Sequence, residues 1–193
     1  MNIKKYDIRE GLGWLFIFKN IIEHMVIDKG FIILILLLMD IVFIVVLKKV
    51  LLIVLIFLLY CIMAANHEYG HYRMVKKLKI SNQNVKLVIM KKKYYITYTI
   101  DIQENIDDAV VLVRFNAIFY DILSVIIGIV LYIVSPLKVL SGLFIMITIF
   151  NFANYFILSE GSDGFIIYQY VNEKGVYKLF DLIIKNINYK WSG

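Results

Sequence analysis

The sequence predicts a membrane protein of the all-α class. It reads as about four transmembrane helices with a small β-hairpin between spans two and three, plus interfacial amphipathic helices at both ends. Three observations carry this reading. The 193-residue chain is 61% hydrophobic with a mean hydropathy of +0.78, against roughly half apolar for a soluble domain. Four apolar runs, residues 30–47, 50–66, 108–134 and 137–158, approach or exceed the length needed to cross a bilayer. Lysine and arginine alternate in abundance between those runs. There are five before residue 30, two in the first loop, eight from residue 66 to 108, one in the third loop and four in the tail. That high, low, high, low, high pattern predicts a multi-pass protein of the cell membrane with both termini cytoplasmic.

The elements follow in order. Residues 1–29 carry Lys4, Lys5, Arg9, Lys19 and Lys29 around a short apolar piece, residues 11–18. The piece is too short to span and has no small-residue cleavage site, so it reads as an amphipathic segment on the cytoplasmic face. The first span is interrupted by Asp40, a carboxylate that must face the bundle interior or be protonated. The second span runs on helically to about Lys77, where Arg73, Lys76, Lys77 and Lys79 mark a water interface. Residues 81–84 are turn chemistry. The β-branched and aromatic stretches 85–90 and 94–100 flank Lys91–Lys93 and predict the hairpin, whose exposed edge could pair with an unfolded substrate segment. The third span carries Arg114, Asn116 and Asp121. Arg114 is close enough to the helix start to snorkel, and Asp121 lies deeper. The fourth carries Asn151 and Asn154. The stretch Ser159–Gly164 places Glu160 and Asp163 among glycines, a broken helix end. Residues 175–188 alternate Leu179, Phe180, Leu182, Ile183 and Ile184 with Lys178, Asp181 and Lys185, an amphipathic surface helix. The domain reading is a cytoplasmic or interfacial segment at 1–29, a membrane core at 30–164 and an amphipathic helix within 165–193.

Charge and cysteine narrow the classes. The formal charge of +6 is a topology signal, and no nucleic-acid partner is expected. The single cysteine, Cys61, cannot form an internal disulfide and reads as a packing or lipid-facing residue.

The stretch that carries chemistry is Ala65-Asn66-His67-Glu68-Tyr69-Gly70-His71. His67 and His71 are four residues apart, so a helix puts them on one face about one turn apart. Two imidazoles so placed can bind one Zn²⁺, with positions left for a third ligand and a water. In this pattern the adjacent Glu68 carboxylate is the base that takes a proton from the hydrolytic water. The chain has three histidines, and two are here. The motif is fused to an apolar span, where polar clusters are expensive and functional. The charge pattern brings the inner end of span two and the inner end of span four to the same side of the membrane. The third ligand could therefore be Glu160 or Asp163.

The chain resembles the site-2 protease type of intramembrane zinc metalloprotease. His67-Glu68-Tyr69-Gly70-His71 looks like the family's H-E-x-G-H, and Asn154 followed by Ser162-Asp163-Gly164 looks like its later asparagine and Asp-Gly element. The match covers roughly residues 51–164. The resemblance implies zinc held by His67, His71 and Asp163, Glu68 as catalytic base, and Asn154 bound to the substrate backbone or the developing oxyanion. It also implies a membrane-spanning or membrane-bound peptide or protein as substrate, cut near the cytoplasmic face. The sequence departs from the family at three places. No proline follows Asn154. The spacing to Asp163 is long enough that Asn151 competes with Asn154. The nearest counterpart of the family's Gly-Pro-x-x-Asn element is Ala117-Ile118-Phe119-Tyr120-Asp121, and no PDZ-like domain is expected. The competing readings are a non-catalytic membrane protein of the same fold acting as a peptide-export accessory or immunity factor, a cation carrier lined by Asp40, Asp121 and the histidines, and a chambered metalloprotease with a glutamate ligand.

Overall fold

A computed structural model describes residues 4–7, 13–47, 52–78, 86–90, 93–97, 106–134, 138–156 and 162–188. The chain runs β1 (Lys4–Asp7), α1 (Gly13–Leu47), α2 (Leu52–Lys77), β2 (Lys86–Met90), β3 (Lys93–Thr97), α3 (Ile106–Val134), α4 (Lys138–Ala153), a 3₁₀ turn (Asn154–Phe156), α5 (Asp163–Lys174) and α6 (Val176–Asn188). Glu160 lies outside the described residues, as do the side chains of Asp40 and Asn154.

The expected class is corrected on two points. Among the described residues one helix, Asp107–Val134, is long and apolar enough to cross a membrane, and four spans are not shown. Helix α4 is apolar but has 16 residues, about 24 Å at 1.5 Å per residue, short of the roughly 30 Å of hydrocarbon. Nor is there an isolated hairpin. β2 and β3 belong to a three-stranded antiparallel sheet in the order β1-β2-β3, with Lys4 opposite Ile89 and Leu87 opposite Ile96. The lysine-rich composition of residues 4–7 hid the strand, because pairing to β2 and not local propensity makes it. Helix α1 also runs without a break from Gly13 through the first apolar run, so the interfacial piece and that run share one rod.

Helix α2 packs between α1 and α3, and α3 between α2 and α4; α5 and α6 close against α3. The main core draws Ile17 and Ile21 from α1, Cys61, Ala64, Ala65 and Val75 from α2, Leu87 from β2 and Val113 from α3. A smaller cluster of Val111, Tyr170 and Leu179 seats the last two helices. The far half of α3 is different. Ile126, Ile129, Val130, Ile133 and Val134 are all exposed. An apolar surface of that extent on several sides of one helix suits hydrocarbon as solvent.

The α2·α3 crossing sets the distance between the two polar faces. At Gly70 an added Cβ would sit 2.8 Å from the Ala117 Cα and 2.9 Å from the Asn116 carbonyl. Only a residue without a side chain lets the backbones meet there, and Asn116 Nδ2 then donates to the Gly70 carbonyl at 2.6 Å. Gly70→Val is expected to destabilise the fold by about 1–3 kcal/mol through overpacking. Thermal unfolding in detergent reads this, and an unchanged midpoint would contradict the close crossing.

Candidate metal and active site

Four elements bring the site together. Helix α2 presents His67, Glu68 and His71, and α3 contributes Val113, Arg114 and Asp121. The end of α4 and the turn after it supply Asn151 and Tyr155, and the head of α5 supplies Asp163. The head of α5 is fixed locally. Ser162 caps it in an extended conformation, its Oγ accepting from the Phe165 N–H at 3.2 Å. Gly164 lies against the Tyr155 carbonyl so closely that any Cβ would collide with it. The Asp-Gly pair is thus a steric requirement. The glycine lets the loop press on the turn, and the aspartate beside it is thereby aimed at α2.

His67 Nε2 and His71 Nε2 each lie 3.2 Å from Asp163 Oδ2. The ligand atoms of the three residues all fall within 4.8 Å of one another. The rings meet edge to face at 4.9 Å. The outer nitrogens are engaged elsewhere. His71 Nδ1 is 3.0 Å from the Val113 carbonyl; a carbonyl only accepts, so Nδ1 carries a proton and Nε2 is the ring nitrogen that faces inward. His67 Nδ1 is 3.1 Å from Asp121 Oδ2 and 2.8 Å from the Tyr155 hydroxyl. Tyr155 in turn donates to Asp121 Oδ2 at 2.7 Å, and Asn151 Nδ2 donates to the same oxygen at 2.9 Å. This is the carboxylate–histidine arrangement that orients metal-binding imidazoles.

Two imidazole nitrogens and one carboxylate oxygen therefore converge on one space, an arrangement that could hold a metal ion. The donor set fits zinc. Two nitrogens and one oxygen at bonds of about 2.0–2.1 Å in a tetrahedron stand about 3.3 Å apart, close to the two nitrogen–oxygen separations of 3.2 Å. The charges agree as well. Glu68, Asp121 and Asp163 are buried at 4%, 0% and 8% exposure. Arg114 Nη1 donates to Asp163 Oδ1 at 2.7 Å and offsets one of them.

Of the expected site residues, His67, His71 and Asp163 come together, and Glu68 is close enough for its charge to act on His67 and Tyr155. Arg114 does not snorkel; it reaches the other carboxylate oxygen of Asp163 and turns Oδ2 to the imidazoles. The described asparagine at the site is Asn151, on Asp121. Tyr155, Val113 and Arg114 are the functional contacts that sequence reasoning missed. For Tyr155 the one signal was Asp121, a carboxylate deep in an apolar helix that must find donors. One residue before the motif, Asn66 accepts from Trp14 Nε1 at 2.7 Å and donates to Ser124 Oγ at 3.0 Å, tying α1, α2 and α3 at the level of His67.

Comparison of the chain with protein-family profiles, curated proteins and solved structures returns no match in any of the three.

Asp121→Asn keeps the shape of the side chain and removes the charge behind His67. It is expected to lower zinc affinity about 10–100-fold, read by chelator competition on the solubilised protein. Affinity equal to that of the parent chain would remove Asp121 from the metal's outer shell.

Proposed function

We propose that this protein is a zinc-dependent intramembrane endopeptidase of the site-2 protease type, acting on a membrane-embedded protein or small peptide precursor near the cytoplasmic face. The observation that carries the proposal is the convergence of His67 Nε2, His71 Nε2 and Asp163 Oδ2 beside the buried Glu68. The lysine and arginine distribution supports a multi-pass protein with both termini cytoplasmic.

His67, His71 and Asp163 would hold the ion. When bound, it would supply a Lewis acid that polarises the scissile carbonyl and makes water a nucleophile near neutral pH. The rest falls to the chain's own groups. Glu68 takes the proton of the attacking water on its carboxylate and returns it to the leaving amine as the C–N bond breaks. Asp121, Tyr155 and Val113 keep both imidazoles in the tautomer that leaves Nε2 without a proton. Arg114 holds Asp163 by the oxygen turned away from the imidazoles. Burial of Glu68 in the bundle keeps bulk water from competing for its proton.

Glu68→Gln is expected to keep bound zinc and to lose hydrolysis by about 10²–10⁴-fold. Metal content follows by elemental analysis of the purified protein, and cleavage by mass spectrometry on a panel of single-span reporter peptides in vesicles. Undiminished cleavage would sink the proposal. Asp163→Asn is expected to lose zinc, whereas Glu160→Gln keeps it; the reverse result would transfer the third ligand to Glu160.

A further inference from the structure

A second feature lies on the other flank of the α2·α3 pair. A cavity of about 260 Å³ is lined by Arg73 and Lys77 from α2, by Leu112, Phe115, Phe119 and Tyr120 from α3, and by α6. An open depression of about 400 Å³ adjoins it, sharing Arg73 and Lys77 and adding Lys76. Neither lining contains an acid. The acids at the head of α3 are already engaged. Tyr170 donates to Asp108 at 2.8 Å, and Lys174 reaches Asp107 and Asp108 at 3.3 and 3.4 Å. Asn186 of α6 accepts from Lys77 Nζ through its backbone carbonyl at 2.6 Å and its side-chain oxygen at 2.5 Å. That contact pins the ammonium at the edge of the cavity.

The chemistry of the occupant follows from charge, shape and depth. Arg73 and Lys77 are four residues apart on one helix, so their cationic heads stand about one turn apart on one face. Arg73 also lies 6.0 Å from the centre of the Tyr69 ring, which limits where its guanidinium goes. Beside these cations the wall turns apolar and aromatic. The span of α3 begins at Asp107. Leu112 to Tyr120 therefore lie about 8 to 20 Å along the helix from its start, from the headgroup level into the hydrocarbon. An anion at the shallow end with an alkyl chain at the deep end describes an anionic phospholipid. A peptide substrate is less suited. The site residues of α3 are Val113, Arg114 and Asp121, whereas Leu112, Phe115 and Phe119 of the cavity project from the opposite side of the helix at about 100° per residue. A bond held in the cavity would not face Glu68.

We propose that this cavity is a binding site for one anionic phospholipid, its phosphate between Arg73 and Lys77 and an acyl chain along Phe115 and Phe119. The inference rests on the membrane reading and is independent of the hydrolytic one.

The test uses the full chain in vesicles of equal parts phosphatidylglycerol and phosphatidylcholine, extracted in mild detergent and analysed for retained lipid by native mass spectrometry. Each cation near an anionic headgroup is worth about a fivefold preference. The parent chain is expected to retain phosphatidylglycerol over phosphatidylcholine by about tenfold or more, and Arg73→Gln with Lys77→Gln to abolish that preference. Lys178→Gln with Lys185→Gln, which removes the same charge from the outer face of α6, is expected to leave it intact. Equal retention of both lipids by the parent chain overturns the proposal, as does equal loss in both double variants. Inorganic phosphate is expected not to displace the lipid; displacement would make the site a simple anion site and overturn the acyl-chain assignment. Should the double variant fail to fold, Phe119→Trp serves instead. Its added fluorescence is expected to be quenched more strongly by brominated phosphatidylglycerol than by brominated phosphatidylcholine, and equal quenching overturns the proposal.

Discussion

Inside the bundle two imidazole nitrogens stand 3.2 Å from the same carboxylate oxygen, with their protons committed to groups on the far side of each ring. Nitrogens and a carboxylate oxygen so close in a low-dielectric interior need a proton or a metal ion between them. Much of the surrounding structure serves to hold that arrangement. Asp121 gathers three donors onto one oxygen. Arg114 takes the opposite edge of Asp163. Asn66 ties three helices together beside His67. Such a network is costly in an apolar setting unless each member is satisfied. The Oδ1 atom of Asp121, buried with no partner among the described residues, marks where that satisfaction is incomplete.

Packing is subordinate to the same need. Gly70 lets α2 and α3 approach until the Val113 carbonyl comes within reach of His71. Gly164 does likewise for the head of α5 and the turn at Tyr155. Neither glycine is there for flexibility. Each marks a place where two backbones must nearly touch so that side chains on either side of the contact can meet. The small-residue spacing typical of helix pairs in lipid is thereby put to work for a polar site.

The two flanks of α3 divide its labour. One flank carries Val113, Arg114 and Asp121 and meets the cluster of His67, His71 and Asp163. The other carries Leu112, Phe115 and Phe119 and lines a cavity with Arg73 and Lys77. A helix with 3.6 residues per turn keeps these sets apart without any extra element. The outer half of α3 has neither duty and is apolar on its exposed sides.

The sequence alone determined the local facts. A four-residue spacing puts His67 and His71 on one helical face, and the apolar run to Val134 makes a helix fit for hydrocarbon. Those depend on periodicity and near neighbours, which a linear reading holds. It could not determine which distant groups meet. Arg114 looked like a snorkelling residue because its partner is 49 positions away, and Tyr155 gave no signal because its contact is Asp121, 34 positions back. Strand β1 went unseen because its partner, β2, lies across two helices. The tertiary structure decided these contacts, since a buried carboxylate selects its donors by distance in space and not along the chain.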